Sequence, residues 1–158
     1  MSKLHEVSLR KMKFKLWLLG FLKIPMLGFV RPKLVLLNEQ EVNVKIKLRR
    51  RTKNHLNSMY FGALSVGADV TAGIHAFYFA EKKGKKISFA FKSMNASFIK
   101  RATTAVTFIF KEGKTIEDLI EKSIHQNERI NAPVNVLAFN QQREMVATFT
   151  MEISIKVN

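Results

Sequence analysis

Between Leu56 and Ala80 the chain carries a single formal charge, Asp69, although Lys and Arg outnumber Asp and Glu by 27 to 12 across its 158 residues. The stretch is also rich in small residues: Gly62, Ala63, Gly67, Ala68, Ala72, Gly73 and Ala76. Small side chains let neighbouring backbones approach closely, as a buried helix requires. A membrane span is the rival reading. Asn57, Ser58, Asp69, Thr71 and His75 argue against it, because polar groups in hydrocarbon are costly, and so does the strand-rich remainder. The stretch therefore predicts a long helix that the rest of the chain must cover, with Ser58 as its N-cap.

The flanking segments supply the cover. Val42, Val44, Ile46 and Leu48 alternate with Asn43, Lys45, Lys47 and Arg49, the pattern of a strand with one buried and one wet face. A second alternating run starts at Ile87, Phe89 and Phe91 and continues toward Phe98. A third, over 104–110, is apolar on both faces and predicts an interior strand. Thr115 followed by Asp118 resembles a capping box, and Ile116, Leu119, Ile120 and Ile124 form the apolar stripe of a surface helix. The last two runs, 134–139 and 145–157, read as a long antiparallel hairpin around the polar turn Asn140–Arg143. A sheet that follows one uncharged helix must wrap it to bury it, so the fold class is α+β, a curved antiparallel sheet around a long central helix. The expected organisation is one domain over 1–158, with an N-terminal helical extension (1–33) and a core (34–158).

The N-terminus has lysines at 11, 13 and 15 before the apolar run Leu16–Leu22, superficially like a signal peptide. No small-residue cleavage site follows, and Lys23 and Pro25 divide the apolar residues into pieces too short to span a bilayer. The expectation is a helix over 9–23, broken by Pro25 and Gly28, that packs on the domain rather than on lipid, with an extended stretch from Pro32. There are no cysteines, which excludes structural disulfides and cysteine nucleophiles and fits a cytoplasmic protein. No pair of the four histidines has helical metal-site spacing, so no metal is expected. Gly113-Lys114-Thr115 looks like the end of a phosphate-binding loop, but the upstream glycine it needs is replaced by Phe108.

The chemistry concentrates in Asn54-His55-Leu56-Asn57-Ser58-Met59-Tyr60-Phe61-Gly62 and continues to Asp69. A lone carboxylate in an apolar helix needs a partner, a water-lined cavity or a raised pKa, and a tuned carboxylate is a candidate base or nucleophile. A glycine near a helix start leaves backbone N–H groups free to polarise a carbonyl.

This stretch resembles the central-helix motif of hotdog-fold thioesterases of the phenylacetate-pathway type: Asn, five residues, His-Gly-Gly, then an acidic residue nine positions after the His. Asn54, Gly62 and Asp69 match; Tyr60 and Phe61 replace the His and the first Gly. The resemblance is closer to the hotdog branch called DUF4442, through Asn54-His55, Ser58-Met59-Tyr60 and Gly62-Ala63-Leu64. Phe98-Ile99-Lys100-Arg101-Ala102 and Arg49-Arg50-Arg51 add to it. It implies a hotdog fold, a homodimer or homotetramer with its site at the subunit interface, an acyl-CoA or related thioester substrate, and no cofactor. Gly62 would hold the thioester oxygen, Asp69 would activate water or attack directly, and Asn54 would position the substrate. Tyr60, Phe61, Ser58, Thr71, Lys100 and Arg101 are the candidate substrate contacts.

Two alternatives stand beside hydrolysis. Tyr60 and Phe61 favour an acyl-binding protein of the same fold without catalysis. The net charge of +15 alone motivates a nucleic-acid-binding module, for which no recognised motif is present and no nucleic-acid partner is expected.

Overall fold

The structure, a computed structural model, describes residues 7–158. Helix α1 (Leu9–Leu18) is capped by Ser8, whose side chain accepts the Lys11 N–H at 3.2 Å. A π-helical turn, Leu19–Lys23, follows, and then helix α2 (Pro25–Val30). Pro25 does not end the helical region as the sequence suggests. It opens α2 at a first-turn position, where its missing N–H costs nothing. Gly28 lies inside α2, and a Cβ there would stand 2.5 Å from the Gly20 carbonyl oxygen. The hairpin is thus closed backbone to backbone. Met12, Leu16, Leu27 and Val30 bury its inner side against the body, so the expected packing occurs.

Six strands form one antiparallel sheet in the order β1-β2-β4-β5-β6-β3. They are β1 (Lys33–Leu37), β2 (Val42–Ile46), β3 (Ile87–Phe98), β4 (Val106–Phe110), β5 (Ile130–Phe139) and β6 (Met145–Val157). The expected interior strand, β4, lies between β2 and β5, with Val106, Phe108 and Phe110 fully buried. The closing hairpin forms as β5 and β6, with β5 starting four residues earlier than the alternation predicts because Ile130 and Ala132 also pair with β6. The sheet curves around helix α3 (Phe61–Lys82), which packs on β2, β3, β4 and β5. Two glycines let it do so. A Cβ at Gly67 would stand 2.2 Å from the Phe108 ring, and one at Gly73 would stand 2.9 Å from the Phe89 ring.

Two helix starts differ from expectation. Helix α3 begins at Phe61 with Tyr60 at its N-cap, and Ser58 is not the cap because its hydroxyl is spent on Asn54. Helix α4 (Gly113–Gln126) begins two residues before Thr115, with Glu112 at the cap and no capping box. Asp118 pairs instead with Lys114 one turn back, at 2.9 Å. Ile116, Leu119 and Ile120 are buried as predicted, but Ile124 is exposed and Ser123 takes the inward position, where its hydroxyl donates to the Glu128 carbonyl and accepts the Val157 N–H. Gly113 has a packing role: a Cβ there would stand 1.9 Å from the Glu39 carbonyl oxygen and 2.7 Å from the His75 ring.

Candidate functional site

Three segments meet at the start of α3. The Met59 N–H donates to the Ala102 carbonyl and the Tyr60 N–H to the Thr52 carbonyl, each at 2.8 Å. Thr52, which lies outside the motif beginning at Asn54, is buried, and its hydroxyl bonds to backbone atoms of Lys47 and Arg49. The signal for it was faint, a lone short polar residue between basic ones. Asn54 shapes the remaining loop: its Oδ1 accepts the Leu56 N–H at 2.9 Å, the Ser58 N–H at 3.1 Å and the Ser58 hydroxyl at 3.1 Å. An asparagine holding its own turn in this way leaves only its side-chain N–H groups for anything else.

The first turn of α3 exposes unpaired N–H groups. The earliest backbone bond into the helix is Leu64 N–H to Tyr60 carbonyl, so the Gly62 N–H has no acceptor among the described residues. The Tyr60 ring lies against Gly62, and a Cβ at 62 would stand 2.4 Å from its Cε1. Tyr60 and Phe61 are both about half exposed, and Phe61 meets Phe98 edge-on at 6.1 Å.

Gly62, Val66 and Asp69 follow one another at i, i+4 and i+7 along one side of α3 and are only half buried, whereas Ala63, Leu64, Gly67 and Ala68 are buried. Asp69 makes no hydrogen bond and no ion pair among the described residues. Burial raises its pKa above the usual carboxylate value, and no nearby cation offsets this. Beside it, the Lys92–Phe98 half of β3 is exposed on nearly every residue, and β3 is the edge of the sheet. The open stripe of α3 and the unfinished strand form one surface.

The other predicted residues divide between this surface and the core. Lys100 and Arg101 are exposed in the segment that bonds to Met59; Lys100 pairs with Glu144 at 2.6 Å. Thr71 points into the core, fully buried, with its hydroxyl donating to the Gly67 carbonyl at 2.5 Å. Ser58 is buried beneath the loop. In this chain, therefore, Gly62, Asp69, Tyr60 and Phe61 lie at least partly exposed along α3 and its start, Lys100 and Arg101 are exposed on a neighbouring segment, and Ser58 and Thr71 are buried.

His75 is fully buried, with its Nε2–H directed at the Asn38 carbonyl at 2.8 Å. Burial lowers its pKa to about 4, opposed by that bond, so it is neutral near pH 7. No group of three or more potential metal ligands forms among the described residues.

A curved antiparallel sheet wrapped around one long central helix is the hotdog fold. Solved structures agree on the fold. A candidate thioesterase of Shewanella oneidensis superposes with a TM-score of 0.80 at 11% identity, over 94% of this chain and 99% of that one. A Pseudomonas aeruginosa protein of unknown function, described as a probable thioesterase, gives 0.78 at 17% identity, over 98% and 99%. A Chlorobaculum tepidum protein of unknown function gives 0.82 at 10%, over 94% and 96%. Within the class, residues 14–157 match the domain of unknown function DUF4442, and the chain belongs to that family. No curated protein matches.

Proposed function

We propose that the protein hydrolyses acyl thioesters such as acyl-CoA at a site shared between two copies of the chain. The observation that carries the reading is Asp69: a half-buried carboxylate with a raised pKa and no partner, on the open side of the central helix. A folded protein seldom keeps an unpaired, partly desolvated carboxylate in an apolar helix unless something other than stability retains it.

Helix geometry gives the reason for two copies. Gly62 and Asp69 are seven residues apart, so about 10 Å separates them along the axis. A base and an oxyanion donor acting on one carbonyl must both lie within hydrogen-bond reach of it. The Gly62 N–H also points away from Asp69, toward the helix start. One helix cannot supply both groups to one thioester, but two helices packed side by side and antiparallel can. The edge position of β3 supports such pairing, since a twelve-residue strand with one unpaired side is a template for a second strand.

In this reading the Gly62 N–H of one copy holds the thioester oxygen. Asp69 of the other takes a proton from water as the water oxygen bonds to the carbonyl carbon. The tetrahedral oxyanion then collapses, the C–S bond breaks, and the proton held by Asp69 passes to the departing thiolate, leaving a carboxylic acid and a free thiol. Lys100 and Arg101 lie where they can attract a phosphate-bearing thiol, and the exposed rings of Tyr60, Phe61 and Phe98 offer apolar cover for the acyl group. Thiol release from a panel of acyl-CoA esters, lost in Asp69→Asn, is the test.

Acyl binding without hydrolysis is the second reading. Its specific support is the Tyr60 ring packed on Gly62, which narrows the approach to the N–H. Retention of acyl-CoA with no turnover in wild type would select it.

A further inference from the structure

From Val7 to Asn38 the chain has seven Lys and Arg residues and no Asp or Glu. Lys11 and Lys15 turn inward to Glu81 on α3. Lys13, Lys23, Arg31 and Lys33 are exposed and form no ion pair among the described residues. The apolar residues divide in the same way. While one side of the hairpin packs on the body, every residue of the tip Phe21–Met26 is exposed, with Phe21 at 70%. Phe14, Trp17 and Phe21 stack in a continuous ridge, with ring centroids 5.9 and 5.4 Å apart, and Trp17 is 60% exposed. So much contiguous apolar surface on a protruding element is unusual for a face that meets only water.

Behind the ridge a groove of about 940 Å³ opens between the hairpin and β1. Arg31 and Lys33 line it, and they also line a smaller cavity of about 130 Å³ with Lys47, Arg49 and Arg51. Five cations around one small cavity with no acid among its lining residues repel one another unless an anion sits among them. The Arg51 guanidinium reaches the Phe29 carbonyl at 3.4 Å, joining the cluster to α2. The Gly20–Gly28 contact holds the hairpin closed, so the tip and the cluster are presented together.

We propose that this face docks on an anionic phospholipid bilayer. Trp17 and the tip Phe21–Met26 enter the headgroup region, and the cluster formed by Arg31, Lys33, Lys47, Arg49 and Arg51 meets lipid phosphates. An amphipathic element with a basic flank and an aromatic edge lies in the interface rather than across it. No helix among the described residues is long and apolar enough to span a bilayer. A nucleic-acid partner would use the cations but gives the exposed aliphatic tip nothing to contact. The proposal is independent of thioester hydrolysis.

Trp17 is the only tryptophan, so its emission reports the event directly. The full chain is mixed with vesicles of phosphatidylglycerol and phosphatidylcholine, or of phosphatidylcholine alone, and both emission and co-sedimentation are followed. Docking predicts a blue shift and pelleting with the anionic vesicles, both weakened by salt. Phe21→Ser with Leu22→Ser should lower partitioning about tenfold or more. Arg49→Glu with Arg51→Glu should abolish the preference for anionic lipid. Phe21, Leu22 and Arg49 are exposed, so the tip variant should melt as wild type does; the charge variant also loses the Arg51–Phe29 bond, and its partitioning is compared at a temperature where melting shows it folded. Unshifted Trp17 emission with anionic vesicles would overturn the proposal, as would pelleting undiminished in the tip variant. So would a tip variant that falls to a smaller oligomer while wild type ignores vesicles, or capture of an RNA duplex in preference to vesicles.

Discussion

A carboxylate that is half buried and unpaired is held at a cost, since desolvation acts on it without a compensating hydrogen bond. Two consequences at Asp69 oppose each other. Replacing it with Asn removes the charge and should raise stability by about 1 kcal/mol at pH 7, measured as a shift in urea midpoint. The same change should remove turnover. Its titration adds a further test: because burial raises the pKa, Asp69 becomes a competent base at a higher pH than an exposed aspartate would. Turnover should therefore rise with pH through an apparent pKa above 3.8, and an apparent pKa at or below 3.8 would contradict the assignment. Asp69 and Gly62 were legible in the sequence, one as the sole charge in a long apolar run and the other through its register. Asn54 was legible as a position, but the three bonds its Oδ1 accepts depend on how residues 54–58 fold back, which no spacing reveals.

At the scale of elements, α3 was visible because a helix covered on most sides carries almost no charge and many small residues, and the strands because burial on one face imposes a period of 2. Their ends were not. Ser58 and Thr115 both look like caps, yet one hydroxyl is claimed by Asn54 and the other helix starts earlier because Gly113 packs into a turn from another part of the chain. Long-range contacts decided both. The helix also carries two glycines of unequal consequence. Gly67→Ala drives a methyl into Phe108, which is fully buried and cannot yield, so a loss of about 2 kcal/mol is expected. Gly73→Ala meets only the far end of the half-buried Phe89 ring, and the gain in helix propensity, about 1 kcal/mol, should leave it near neutral. Chemical denaturation of both variants checks the contrast; equal costs would contradict it. His75 predicts a pH dependence. Its folded pKa of about 4 lies below the ordinary 6.5, so the unfolded chain binds the extra proton in that window. Stability should fall as pH drops from 6.5 to 4, by roughly 3 kcal/mol from this group. The slope in this window should flatten in His75→Gln, and an unchanged slope would remove His75 as its source.

At the scale of the whole molecule, the sheet is unfinished at β3 and the central helix is uncovered along Gly62, Val66 and Asp69. If a second copy completes both, neither copy is active alone. Gly62→Pro removes the N–H in the first helical turn, where the backbone tolerates proline, and its Cβ pushes the half-exposed Tyr60 ring aside. It should be inactive, as should Asp69→Asn, with folding of both checked by melting. Mixed after unfolding and refolding together, the two should recover about a quarter of wild-type turnover, because half the dimers are mixed and each mixed dimer holds one intact site. No recovery would place Gly62 and Asp69 in the same site of one chain. The sequence pointed to a dimer only through its resemblance to a family, since an open strand edge is a property of the assembled sheet. The most direct measurement is thiol release from acyl-CoA esters by wild type, Asp69→Ala and Asp69→Asn, with folding checked by melting. Wild type should release thiol, both variants should not, and Asp69→Asn should melt at or above the wild-type temperature. Turnover that survives in well-folded Asp69→Asn, or none in wild type with any ester, would contradict hydrolysis at Asp69.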